Sequence, residues 1–107
     1  MGTTKTDFFD EKQNRLANFA KAIGHPARIA ILEHLLNEGK STCGEIVKQL
    51  PLAQPTISQH LKELKSAGLL KSDTNGNSVS YSINDKSFAK FEKQVKPLLK
   101  QARKAKD

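Results

Sequence analysis

Cysteine is almost missing from this 107-residue chain: Cys43 stands alone. One thiol excludes an internal disulfide and any metal site built from several cysteines of one chain. It fits a reducing, cytoplasmic setting, where thiols stay unpaired. No apolar run approaches the roughly 18 residues of a membrane span, so no membrane partner is expected. The stretch Met1 to Asp10 is polar and acidic, which fits no signal peptide. A phosphate-cradling glycine loop is missing too, as is any spaced carboxylate pair or Ser/Cys–His group. No catalytic residue, enzyme activity or cofactor is therefore expected. Glu33 and His34 are adjacent, but neighbours on a helix face different directions.

The length fits one domain spanning 1–107. Residues 1–6 are expected to be a loose N-terminal arm and residues 103–107 a loose basic tail. A chain of this size buries roughly 65% of its unfolded surface, a small core that gains from a partner subunit. The net charge is +7. The last 23 residues hold eight basic and three acidic residues, which is five of those seven charges. A basic balance favours an anionic partner such as nucleic acid, although a lysine-rich tail is also a common solvated tail.

Period and punctuation divide the chain into elements. Phe8, Phe9, Leu16, Phe19, Ala20 and Ile23 recur at helical steps, and Gly24 follows where a left-handed residue often ends a helix. Pro26 suits the first turn of a second helix running through Ile29, Ile31, Leu32, Leu35 and Leu36 to Gly39. Thr42 and Glu45 have capping-box spacing for a short third helix to Leu50. Pro55 opens a fourth helix, with Ile57, Leu61 and Leu64 inward and Gly68 at its end. The period then changes to two: Val79, Tyr81 and Ile83 alternate with serines. Leu69 to Thr74 is the partner strand, and Asn75-Gly76 is the hairpin signal. Asn84 or Asp85 is placed to cap a last helix carrying Phe88, Phe91, Val95, Leu98 and Leu99, which Pro97 is expected to kink or split.

The fold class is thus mainly α with a small β-hairpin: four helices, a hairpin, one helix. Two short helices joined by a tight turn, with a hairpin directly after, make a winged helix-turn-helix. Its second helix fits the DNA major groove, where outward residues near its N-terminus reach base edges. At about 100° per residue, Pro55, Thr56, Ser58, Gln59 and Lys62 point away from the Ile57–Leu61–Leu64 core stripe, and Gln54 stands at the helix start. Gln59 suits adenine, Thr56 and Ser58 suit bases or phosphates, and Lys62 suits a phosphate. His60 falls at the core margin, where packing and phosphate contact both remain open. In the wing, Lys71, Asn75, Gly76 and Asn77 are the candidate contacts. The hairpin tip carries no basic residue, and Asp73 is set to repel phosphate.

Gly24-His25-Pro26-Ala27-Arg28-Ile29-Ala30-Ile31-Leu32 resembles the opening of the ArsR/SmtB-type bacterial repressors. Gln54-Pro55-Thr56-Ile57-Ser58-Gln59-His60-Leu61, ending in Ala67-Gly68-Leu69, resembles their DNA-reading segment. The likeness runs from about Leu16 to Ile83. It implies a homodimeric repressor of double-stranded DNA, joined through the first and last helices. Phe8, Phe9, Leu16, Phe19, Phe88, Phe91 and Val95 are the expected interface; an intrachain contact between those helices is the alternative. The metal-sensing members carry Cys-x-Cys where this chain has Thr42 and Gly44. Their second site matches here only at Asp85, the other positions being Ser87, Leu98 and Gln101. No metal site is expected, and the effector is left open. Two rival readings remain: a thiol-based redox regulator acting through Cys43 at a helix start, and a winged helix used for protein–protein interaction.

Overall fold

The computed structural model describes residues 8–105. Helix α1 covers Glu11–Ile23, α2 Pro26–Glu38, α3 Cys43–Gln49, α4 Gln54–Ser66 and α5 Asp85–Lys104. Strands β1 (Ser41–Thr42), β2 (Leu70–Asn75) and β3 (Ser78–Ile83) form one antiparallel sheet in the order β1-β3-β2.

The first helix starts later than its apolar spacing predicts. Asp10 accepts the Gln13 N–H at 2.7 Å, and the Asp10 N–H donates back to Gln13 Oε1 at 3.1 Å. This capping box satisfies two otherwise orphaned donors and fixes the start at Glu11. Phe8 and Phe9 therefore precede the helix and stand exposed. Gly24 also departs from expectation, with φ −79° rather than a left-handed value. Glycine relieves crowding there, because a Cβ would lie 3.0 Å from the Ala20 carbonyl oxygen. Thr42 and Glu45 do form the predicted capping box of α3.

Strand β1 was not anticipated, since two residues are too few to display a period. It pairs Ser41 with Tyr81 and Thr42 with Ser80, tying the start of α3 to the wing. The hairpin turn sits one residue later than expected. Asn75 pairs with Ser78, leaving Gly76-Asn77 as the central pair, and only Gly76 has positive φ. That is the pattern of a II′ turn, with glycine first. Val79, near the tip, is exposed rather than inward.

The core gathers around Ile31, Leu35, Ile46, Ile57, Leu61, Leu64 and Leu69, all essentially inaccessible. Helix α5 is continuous through Pro97 and includes Arg103 and Lys104, which were expected in a loose tail. The expected arm, 1–6, and residues 106–107 lie outside the described residues. Neither Asn84 nor Asp85 caps α5 by its side chain. Instead, Asn84 Nδ2 and Ser87 Oγ donate to the Gly68 carbonyl at 2.9 and 2.7 Å, stapling the start of α5 to the end of α4. Although α5 has 20 residues, none of them is buried.

Candidate nucleic-acid interface

Helix α4 is oriented by what it buries. Ile57, Leu61 and Leu64 sit in the core, so Gln54, Pro55, Thr56, Ser58, Gln59 and Lys62 are all exposed. The structure thus presents six of the seven predicted residues on one accessible helix. The exception is His60, which is buried and so withdrawn from phosphate contact. Its Nδ1 accepts from Arg28 Nε at 3.1 Å, and its ring lies 4.6 Å from that of His25. Arg28 Nη1 also donates to the Ala22 carbonyl at 3.0 Å. One guanidinium therefore joins the end of α1 to α4. His25 caps α2, its Nδ1 accepting the Ala27 N–H at 3.1 Å. None of these roles was visible in the sequence spacing.

Burial, and the charges of His25 and Arg28, push the His60 imidazole below the usual histidine range. A proton arriving at Nδ1 would also displace the Arg28 bond. The unfolded chain then takes up the proton more readily than the fold, so stability is present above about pH 6.5 and falls as pH drops below it. Urea midpoints at pH 7.5 and 5.5 check this. The wild type is expected to lose more on acidification than His60→Gln.

Gln59 is accessible but occupied: its Nε2 donates to Glu63 Oε2 at 2.9 Å. Reading a base requires this carboxamide to be shared or released. The one-turn spacing of Gln59 and Glu63 is the sequence signal that could have found this pair, which the sequence reading missed. In the wing, Asn75, Gly76 and Asn77 occupy the exposed tip and Lys71 is exposed on β2. Asp73 is not a bare negative charge, because Lys40 Nζ lies 2.9 Å from its Oδ2. That contact holds the carboxyl below its usual range. It brings to the wing a basic residue that is distant in sequence.

Cys43 does not carry the signature of a sensor thiol. It is half-buried, and desolvation pushes its pKa up, whereas oxidation needs a stabilised thiolate. Cys43→Ser is expected to bind DNA and respond to peroxide as the wild type does, measured by gel shift with and without oxidant. Among the described residues no group of three or more His, Cys, Asp or Glu side chains is gathered as a metal would need.

The predicted interface aromatics divide into two groups. Phe19 stacks on Phe91 at 3.8 Å and meets Phe88 edge-on at 5.1 Å, all within one chain. These three join α1 to α5 within one chain, the intrachain contact that the sequence leaves as the alternative to a dimer contact. Leu16 and Val95 are half-buried, while Phe8 and Phe9 remain exposed.

A helix-turn-helix domain family matches residues 23–73, from the end of α1 into the wing. An HTH-type transcriptional regulator of Methanocaldococcus jannaschii is 38% identical over 88 residues, 82% of this chain and 99% of that protein. The chain belongs to the ArsR/SmtB-type winged helix-turn-helix regulators. The biofilm growth-associated repressor of Xylella fastidiosa is 30% identical over 82 residues, covering 77% of this chain and 71% of that one. An ArsR-like regulator structure from Rhodococcus sp. RHA1 shares the fold, with TM-score 0.76, 20% identity and 89% of each chain covered. This ArsR-type protein is accordingly a DNA-binding regulator of transcription rather than an enzyme. No helix among its described residues is long and apolar enough to cross a membrane.

Proposed function

We propose that this protein is a cytoplasmic repressor that binds a palindromic operator as a homodimer and blocks transcription by occupying the promoter. The observation that carries the reading is the exposed set Gln54, Thr56, Ser58, Gln59 and Lys62 on a helix whose opposite face is locked into the core. Short polar side chains in the first turns of such a helix suit hydrogen bonding to base edges. The wing contributes Lys71 and the tip residues Asn75, Gly76 and Asn77. The relative named as a repressor supports the direction of control.

Three observations support the dimer. The chain exposes 8019 Å², against about 5,900 Å² from the area law for its mass. Its Cα radius of gyration is 16.3 Å, where a compact chain of this length has about 13 Å. Leu98 and Leu99 on α5 are more than half exposed, beside a hollow of about 600 Å³ lined by Leu16, Pro97 and Leu98. The interface we propose is formed by Phe8, Phe9, Leu16, Leu98 and Leu99. Leu98→Glu/Leu99→Glu is expected to sediment as a folded monomer, with the wild type as a dimer.

The deciding experiment mixes purified protein with random genomic fragments and excess competitor DNA. Selective recovery of imperfect palindromes, with half-sites about 10–11 bp apart or a multiple of that, is expected. Recovery no better than competitor would overturn the reading in favour of a protein-binding winged helix.

A further inference from the structure

A groove of about 800 Å³ runs between α1, the start of α2, the last turns of α4 and the first half of α5. Its size lies within the range of small-molecule sites, roughly 300–1,000 Å³. Its charge is one-sided. Arg15 and Lys21 of α1, Arg28 of α2 and Lys90 of α5 line it, with His25 beside them. Glu63 is the single acidic side chain on its walls. Among the described residues the ion pair formed is Lys40–Asp73, so none of those four cations is held in an ion pair. Like charges around one hollow repel, and a bound anion relieves that repulsion.

The groove also has an apolar wall. Phe19 and Phe91, stacked on one another, line it together with Ala22. A bare inorganic anion would leave this wall unused, whereas an apolar ligand would leave the cations unused. DNA phosphate is a poor occupant. The groove meets α4 at Glu63, Ser66 and Ala67, and Glu63 is nine residues past Gln54, about 14 Å along the helix. The hollow beside the proposed dimer contact shares Arg15, Lys90 and Gln94 with this groove, whereas Lys21, Arg28, Phe19 and Phe91 line the groove alone.

We infer that this groove binds a small organic anion with an apolar body, an aromatic carboxylate being the class that fits, and that occupancy is felt at the reading helix through Glu63. Arg15 and Lys90 supply charge-assisted hydrogen bonds to the carboxylate, and the Phe19–Phe91 wall takes the ring. The same Glu63 carboxylate holds Gln59. A second negative charge beside it disturbs that hold, which lowers DNA affinity. This last step rests on the DNA-reading role of Gln59; the binding site itself does not.

The test uses the full ¹⁵N-labelled chain without DNA and three probes: 1-naphthoate, 1-naphthamide and inorganic phosphate. Naphthoate is expected to shift the amides of Asn18, Ala22 and Ala67 saturably. Naphthamide and phosphate should each bind at least about tenfold more weakly, the cost of one lost charge-assisted or apolar contribution. Arg15→Gln/Lys90→Gln should lose at least about tenfold for the same reason, and Lys100→Gln nothing. Equal binding of naphthamide or phosphate would overturn the assignment, as would shifts gathered around Leu98 and Leu99 or no saturation. Operator affinity is then measured at saturating naphthoate. A fall supports the coupling and an unchanged value overturns it. If the protein selects no DNA, the repressor reading fails while the probe titration still decides the site.

Discussion

Replacing Arg28 by methionine is expected to destabilise the fold by about 3 kcal/mol, since hydrogen bonds from charged groups are worth about 1.5–3 kcal/mol each. Methionine keeps most of the side-chain volume, so the change isolates the guanidinium. Two bonds disappear: one to the Ala22 carbonyl at the end of α1 and one to His60 Nδ1. His60 is buried and keeps an acceptor with no partner, which carries its own desolvation penalty. Partial exposure of the arginine keeps the total below the simple sum. A domain of this size has only about 5–15 kcal/mol of stability to lose. The melting temperature should fall by on the order of 15 °C. Urea unfolding without DNA measures the effect directly, and a loss indistinguishable from zero would show that the bridge contributes nothing net.

The second large effect concerns recognition. Gln54→Ala/Gln59→Ala is expected to weaken operator binding by roughly 100-fold, because each side chain pairing well with a base contributes about 1–3 kcal/mol. Gln59 must first share or release its bond to Glu63, which keeps its contribution toward the low end. Binding to unrelated DNA should barely change, because that affinity comes from phosphate contacts. Lys62→Ala should behave in the opposite way, weakening all sequences alike and reducing the salt dependence. Fluorescence anisotropy at fixed salt, with operator and scrambled duplexes, separates the two patterns. Equal losses on both duplexes for the glutamine variant would remove these residues from base reading.

Much of this architecture was legible from sequence because the signals are local and repeat. Ile57, Leu61 and Leu64 fix which side of α4 faces inward, and every other residue of that helix follows by angle. Gly76 and the alternating serines announce the hairpin. The resemblance carried by Gln54 to Leu69 pointed to the family. What escaped depends on distance or on single hydrogen bonds. Arg28 and His60 are 32 residues apart, and no period links them. Lys40 reaches Asp73 only once the wing has folded back onto the end of α2. Phe8 and Phe9 continue the helical spacing of α1, but Asp10 ends that continuity with one side-chain bond. The phenylalanines of α1 and α5 looked available for a second subunit because spacing cannot say whether two apolar faces in one chain meet each other. Phe19, Phe88 and Phe91 do meet, and the apolar surface left over lies further along α5.

Arg28 gives the molecule a mechanical property. Helix α1 and helix α4 are pinned through one planar guanidinium that holds the last turn of the first and the middle of the second. A force that tilts α1 must turn α4 with it or break one of these two bonds. Helix α1 and helix α4 therefore behave as a single lever, with its fulcrum at the α1–α2 corner.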